Sequence, residues 1–265
     1  MFLFPIEKDN PTRNPVIWVW LLLAANCFVF LVTQYALDWD SVVAAAAFVP
    51  AEPTLATLFT SMFLHAGWMH LLGNMFFLWM FADNVEDVLG RWLFLPAYLF
   101  CGVAATGLHM LLDPGATVPL VGASGAISGM LGLYIVLYRY AQVDLLVAVR
   151  YSSYTFHMTA LGAGLAWLGE QALLGAFASA GVSSGVAFWA HVGGLLAGML
   201  IGLLCRLTGR VAPKPERALR IERDKLENIW CPYCGTKDVI AEFGLHVCSC
   251  CGIEYDIVVD TEHKA

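Results

Sequence analysis

Stretches free of charge divide this chain into regular lengths. No Asp, Glu, Lys or Arg occurs between Arg13 and Asp38, Glu52 and Asp83, Arg91 and Asp113, Asp113 and Arg139, Arg150 and Glu170, or Glu170 and Arg206. Each interval is wide enough for the roughly 20 apolar residues that cross a bilayer as helix. The last interval is longer, and its small-residue stretch FASAGVSSG (177–185) reads as a loop. The pattern therefore predicts six spanning helices, near 15–37, 65–82, 92–112, 122–138, 154–174 and 186–207. Together, 15–207 form one six-span domain, flanked by an N-terminal segment (1–14), a basic linker that is helical in part (208–229) and a separate tail (230–265).

Composition sharpens the class. The chain is 59% hydrophobic and 13% charged, where a soluble domain carries about a quarter charged residues. The expectation is an all-α polytopic membrane protein with a small β-type tail domain. Both termini of a six-span chain share one side with the loops around 83–91 and 139–153. All 14 Lys and Arg fall on that side, and the opposite loops near 38–64, 113–121 and 175–185 hold none. Basic loops stay cytoplasmic, so the termini are expected in the cytoplasm and the protein in a plasma (inner) membrane. The net charge of −7 says little about partners, because acidic residues weigh little in that rule. The first apolar run is too long for a cleavable signal peptide and lacks a small-residue cleavage site.

Topology then brings chemistry to one level. Spans two, four and six all run inward. Near their outer ends they carry His70 and Asn74 (HAGWMHLLGNM), Ser124 (GASG) and His191 (AHVGG). His70 and Asn74 are one turn apart and share a helix face. Polar groups at this depth are costly in lipid and face a bundle interior or a water-filled cavity. Taken singly, each is explained as interhelical packing. Four at one depth supply a hydroxyl nucleophile, an imidazole base and side-chain donors for an oxyanion. Gly125 and Gly129, and Gly194, Gly198 and Gly202, recur at four-residue spacing. Small residues so spaced let helix backbones approach closely, which would bring Ser124 within reach of His191. No Asp or Glu lies at matching depth in spans two, four or six, so the expected unit is a Ser–His dyad with the imidazole oriented by packing.

GASG at 122–125, AHVGG at 190–194 and HAGWMHLLGNM at 65–75 resemble, in order and over the six-span region, the signatures of rhomboid intramembrane serine proteases. The resemblance implies Ser124 as nucleophile and His191 as general base. His70, Asn74 and the backbone N–H of Ser124 would hold the oxyanion. It further implies an endopeptidase that cuts within or beside transmembrane segments of membrane-protein substrates, in the lipid bilayer, with no cofactor for catalysis. Many members carry a Trp-Arg pair in the first outer loop, and residues 38–64 contain no Arg. Some relatives pack an aromatic side chain, one turn after the nucleophile, against the base; Ser128 stands there in this chain. His65 is expected to make structural hydrogen bonds only. The alternative is a relative that binds transmembrane segments without cutting, against which both Ser124 and His191 are retained. A transporter or channel would continue its polar residues through the inner leaflet, where spans two and six turn apolar (FFLWMFA, LLAGMLIG). A metalloprotease is disfavoured, since no HExxH occurs.

The tail carries a second motif. Cys231, Cys234, Cys248 and Cys251 form CxxC–x13–CxxC, close to the spacing of four-cysteine zinc sites, and the segment resembles a zinc ribbon. About 36 residues hold too little core to fold without such a staple. Disulfides are the competing expectation, and a reducing cytoplasm argues against them. Structural zinc is expected, with iron the other metal that four thiolates accept. Cys250 and His246 are substitutes for a ligand, whereas Cys27, Cys101 and Cys205 read as packing residues. Zinc ribbons contact proteins or nucleic acid. This one is not basic, so a cytoplasmic protein partner is expected rather than nucleic acid.

Overall fold

The computed structural model describes residues 2–7, 12, 14–139, 141–149, 152–179, 186–210, 218–221, 229–231, 237–238, 244–248 and 254–259. They belong to two compact units, Pro11–Tyr138 with Leu161–Ala212, and Met1–Asn10 with Arg139–Ala160 and Pro213–Ala265.

The first unit is helical. Its elements are α1 (Trp18–Tyr35), α2 (Trp39–Ala46), α3 (Leu55–Thr60) with a 3-10 turn (Ser61–Phe63), α4 (Trp68–Leu89), α5 (Arg91–Leu112), α6 (Ser124–Leu137), α7 (Ala160–Ser179) and α8 (Phe188–Leu207). Three of them, α1, α5 and α8, are long and apolar enough to cross a membrane. The pair formed by α3 with its 3-10 turn and α4, bent by 91°, qualifies as a fourth, and α6 is a shorter apolar helix. Their outward faces are apolar too. Trp20, Leu21, Phe28 and Leu31 of α1 and Leu196, Leu200, Leu203 and Leu207 of α8 are exposed, where helices in water place polar residues. The chain is a multi-pass integral membrane protein.

At the centre stands α6, buried without a break from Ala126 to Ile135 and packed against α4, α5 and α8. Its crossing with α8 is set by glycines. A Cβ on Gly194 would meet the carbonyl oxygen of Gly125, one on Gly198 the carbonyl oxygen of Gly129, and one on Gly132 the carbonyl oxygen of Leu195. These obstacles are backbone atoms and cannot turn aside, so only glycine permits the approach. Cys101 of α5 fills the groove beside Gly129, as a packing cysteine does.

Several boundaries differ from the sequence expectation, each for a local reason. The acids of 83–91 were expected in a loop, but α4 runs on to Leu89 and stops at Gly90, whose φ of 73° suits a helix C-cap. Those acids have partners. Glu86 accepts from the N–H groups of Ile17, Trp18 and Val19, each at 2.9 Å. It thereby satisfies the first turn of α1, whose N–H groups have no partner within their own helix. Asp87 accepts from the backbone N–H and side-chain amide of Asn14 at 2.8 and 2.6 Å. The fifth span, expected at 154–174, begins as helix only at Ala160 and continues to Ser179. The residues before it alternate in the manner of a strand and pair as one. The outer segment 38–64 is not one loop but holds α2, α3 and the 3-10 turn.

The second unit is built of strands. β1 (Phe2–Glu7), β2 (Gln142–Val149) and β3 (Ser152–Thr159) form an antiparallel sheet in that order, with Phe4 opposite Leu146 and Leu146 opposite Thr155. The 1–14 and 139–153 segments, expected as tail and loop, thus contribute a sheet. Further along lie β4 (Ala218–Ile221), β5 (Ile229–Trp230), β6 (Lys237–Asp238), β7 (Gly244–Val247) and β8 (Glu254–Val259). β4 runs parallel to β8, and β7 and β8 pair antiparallel, as do β5 and β6. The linker was expected to be helical in part; its described residues 218–221 are a strand, because β8 offers them an edge. The rest of 211–228 lies outside the described residues.

Candidate active site

Ser124 and His191 are placed by the glycine crossing. Gly125 of α6 meets Gly194 of α8 backbone to backbone. Ser124 is one residue before the first and His191 three before the second, so both project from the same end of the crossing. Ser124 Oγ lies 2.9 Å from His191 Nε2, a hydrogen bond through which a proton can pass. The segment leading into α6 is pinned on both sides. Phe48 and Leu120 exchange backbone hydrogen bonds at 3.1 and 2.7 Å, and the Gly122 N–H donates to the Ser61 carbonyl at 2.9 Å. No side chain caps α6. Its first N–H groups therefore have no side-chain acceptor, and the positive end of the helix dipole lies at Ser124.

His70 and Asn74 meet this segment from α4. A Cβ on Gly122 would lie 2.7 Å from His70 Nε2 and 3.5 Å from Asn74 Nδ2. Gly122 also has φ of 122°, a conformation that side chains disfavour. Glycine is thus required twice over, for the backbone and for the space in which these two side chains approach the segment that leads to Ser124. Asn74 is buried, and its Nδ2 has no hydrogen-bond partner within the protein. A buried amide donor left unpaired costs free energy, and this one lies beside the Gly122 backbone, two residues before Ser124. His65 was expected to make structural hydrogen bonds, and its ring has the Phe63 backbone beside it, though not at ordinary hydrogen-bond geometry. It is fully buried, and its ring packs edge-on to His70 with centroids 5.1 Å apart.

Two residues of the site were missed in the sequence. His191 Nδ1 lies 2.7 Å from Gln171 Oε1 on α7. The Trp167 ring, one turn earlier on α7, lies 5.8 Å from the imidazole at 30°. The imidazole is therefore held by a hydrogen bond as well as by packing. The available signal was Trp167 and Gln171 at i, i+4, a polar side chain below an aromatic on one face of an apolar helix. Ser128 does not support His191; its Oγ donates to the Ser124 carbonyl at 2.7 Å, an ordinary back-bond within a helix. Of the tail cysteines, Cys231 and Cys248 are buried, while Cys234 and Cys251 lie outside the described residues.

Fold and site together define a helical membrane protein that pairs a serine with a histidine at one end of a glycine-packed helix crossing. The family model for the Rhomboid domain matches residues 52–208, and the chain belongs to the rhomboid family. It is similar to the rhomboid protein YdcA of Bacillus subtilis (strain 168), 32% identical over 143 residues, which are 52% of this chain and 65% of that one. It is 40% identical over 78 residues to Rhomboid-like protein 11, chloroplastic, of Arabidopsis thaliana, covering 29% of this chain and 28% of that protein. With the mitochondrial presenilin-associated rhomboid-like protein of Bos taurus it shares 31% identity over 113 residues, 42% of this chain and 30% of the relative. The chain thus spans between about a third and two thirds of the length of these relatives.

Proposed function

We propose that this protein is an intramembrane serine endopeptidase, and the observation that carries the proposal is the 2.9 Å contact between Ser124 Oγ and His191 Nε2. His191 Nε2 takes the Ser124 proton as Oγ bonds to the scissile carbonyl carbon. The tetrahedral oxyanion is held by Asn74, His70 and the Ser124 N–H. When it collapses, the C–N bond breaks and the imidazolium gives its proton to the departing amine. Water then adds to the acyl-enzyme with His191 again as base, which releases the acid and restores Ser124. The substrates are membrane proteins whose transmembrane segments unwind readily near the outer leaflet, because a carbonyl inside an intact helix cannot be attacked. α1, α3 with α4, α5, α6, α7 and α8 serve as six spans. The distribution of Lys and Arg supports cytoplasmic termini in a plasma (inner) membrane, which a reporter fused after Ala265 reads directly.

A fluorophosphonate probe tests the site without a known substrate. The expected result is one adduct, located on Ser124 by mass spectrometry. Asn74→Ala and His70→Ala each slow labelling and cleavage by about 10²- to 10³-fold, the usual loss for one oxyanion donor. Labelling elsewhere, or none, favours a rhomboid relative that binds membrane segments without cutting them.

The tail is proposed to hold structural zinc through Cys231, Cys234, Cys248 and Cys251. Support comes from the strands. Trp230 pairs with Lys237 and Val247 with Glu254, so each CxxC falls in the connection of a hairpin, directly after its first strand. Cys231 and Cys248, the first of each pair, are buried at 2% and 1% exposure. Thiolates at those positions suit a tetrahedral ion that ties two hairpins together. Metal analysis of purified protein should find one equivalent of zinc, lost on Cys→Ser substitution at any of the four. Iron at that stoichiometry would replace zinc, and no metal would sink the proposal. A ribbon of this kind suits docking to a cytoplasmic protein.

A further inference from the structure

The base of the Ser–His pair works only in one tautomer. Its Nε2 must arrive without a proton, with its lone pair toward Ser124 Oγ, and this requires the hydrogen to sit on Nδ1. Gln171 Oε1 faces Nδ1 at 2.7 Å. A carboxamide oxygen can only accept a hydrogen bond, so with Oε1 turned to Nδ1 the tautomer that fits carries its hydrogen on Nδ1 and leaves Nε2 free to receive the serine proton. Gln171 is itself buried at 7% exposure. Burying an amide inside an apolar bundle is unfavourable unless a partner compensates it, and His191 is that partner.

The setting of α7 supports the same role. Along one face lie Gly164, Trp167, Gln171 and Gly175. A Cβ on Gly164 would meet Ile135 of α6 at 2.6 Å, and one on Gly175 would meet Trp189 of α8 at 3.0 Å. The two glycines let α7 approach closely above and below the site. Between them Trp167 covers the imidazole ring and Gln171 reaches its nitrogen.

We infer that Gln171 is a positioning residue for His191: its carboxamide oxygen fixes the tautomer and, with Trp167 against the ring, the orientation of the base, so that the catalytic unit is a Ser–His–Gln relay from α6, α8 and α7. This rests on the serine endopeptidase reading of the site. No carboxylate is needed, and among the described residues none is bonded to His191. A neutral acceptor selects the tautomer as an aspartate would, with weaker stabilisation of the imidazolium.

The test compares wild type, Ser124→Ala, Gln171→Leu and Gln171→Glu, purified in detergent. For each, kcat and KM for a single-span substrate, the rate of fluorophosphonate labelling and the melting temperature are measured. Gln171→Leu is expected to lower kcat and the labelling rate by one common factor. That factor lies between about 10-fold and the roughly 10⁴-fold that a wrong tautomer costs a Ser–His–Asp triad. KM and the melting temperature should stay near wild type. Gln171→Glu, which keeps an acceptor oxygen, should restore most of both rates. Full kcat in Gln171→Leu overturns the inference while leaving the protease reading intact. So does a loss of activity that tracks a fall in melting temperature in both variants, since that marks a packing role. Wild type that neither cuts nor labels takes down the reading and this inference with it.

Discussion

Ser124→Ala and His191→Ala each abolish cleavage of a single-span membrane substrate, with kcat falling by at least about 10⁴-fold, because removing either half of a nucleophile–base pair disables the whole. The two losses are not additive, and the double variant is no worse than either single one. Neither substitution leaves a buried charge or a large void. Ser124 and His191 are only half-buried, so the folded bundle should survive, with a small fall in melting temperature for His191→Ala, which leaves the buried Gln171 amide without that partner. Activity loss with retained fold is the informative outcome, read by parallel cleavage and thermal unfolding assays. Residual cutting in Ser124→Ala would mean that another group, or a contaminant, performs the hydrolysis. Cutting by His191→Ala at a reduced rate would leave Ser124 as nucleophile but assign its proton elsewhere.

The second large effect needs no chemistry. Gly198→Ala adds one methyl group at a point already occupied by the carbonyl oxygen of Gly129. A clashing side chain can rotate; a carbonyl inside a buried helix can move only with its helix. Separating α6 from α8 forfeits packing along their whole crossing. The expected cost is at the upper end of overpacking penalties, about 3 kcal/mol or more. It also draws His191 away from Ser124, so cleavage disappears even where the protein is recovered folded. Gly107→Ala on α5 is the matched control, since nothing lies within 4 Å of its added Cβ. That variant should melt and cut like wild type. Equal behaviour of the two substitutions would show that the glycine crossing is looser than the structure has it.

Much of this was legible in advance because lipid leaves a strong mark on a sequence. Charge is excluded from spans, so charge-free intervals located α1, α5, α6 and α8 to within a few residues, and the glycine spacing announced the α6–α8 contact. The same logic misplaced the end of α4. Glu86 and Asp87 are charged yet lie inside a helix, because α1 and Asn14 lend them donors, and such partners are far away in sequence. β3 was absorbed into a span since SSYTFHMT carries no charge, although its alternation was readable. Gln171 escaped for a related reason. A carboxylate on the helices that bear the other site residues is the group that ordinarily orients such a histidine, and those helices have none at that depth. A neutral amide leaves no gap in the charge pattern, and only the packing of α7 shows that it faces Nδ1.

The shortness of α6 has a consequence for biogenesis. Its 14 residues rise about 21 Å, well under the roughly 30 Å of hydrocarbon in a bilayer. Such a segment is a poor candidate for insertion by itself, and a helix buried on all sides has no surface meant for lipid. It needs neighbours already in place on both flanks. α4 and α5 are synthesised before it, but α8, which carries His191, is the last helix of the bundle to leave the ribosome. On the proposed mechanism Ser124 therefore has no proton acceptor until that final segment enters, and hydrolytic competence would coincide with completion of the membrane domain.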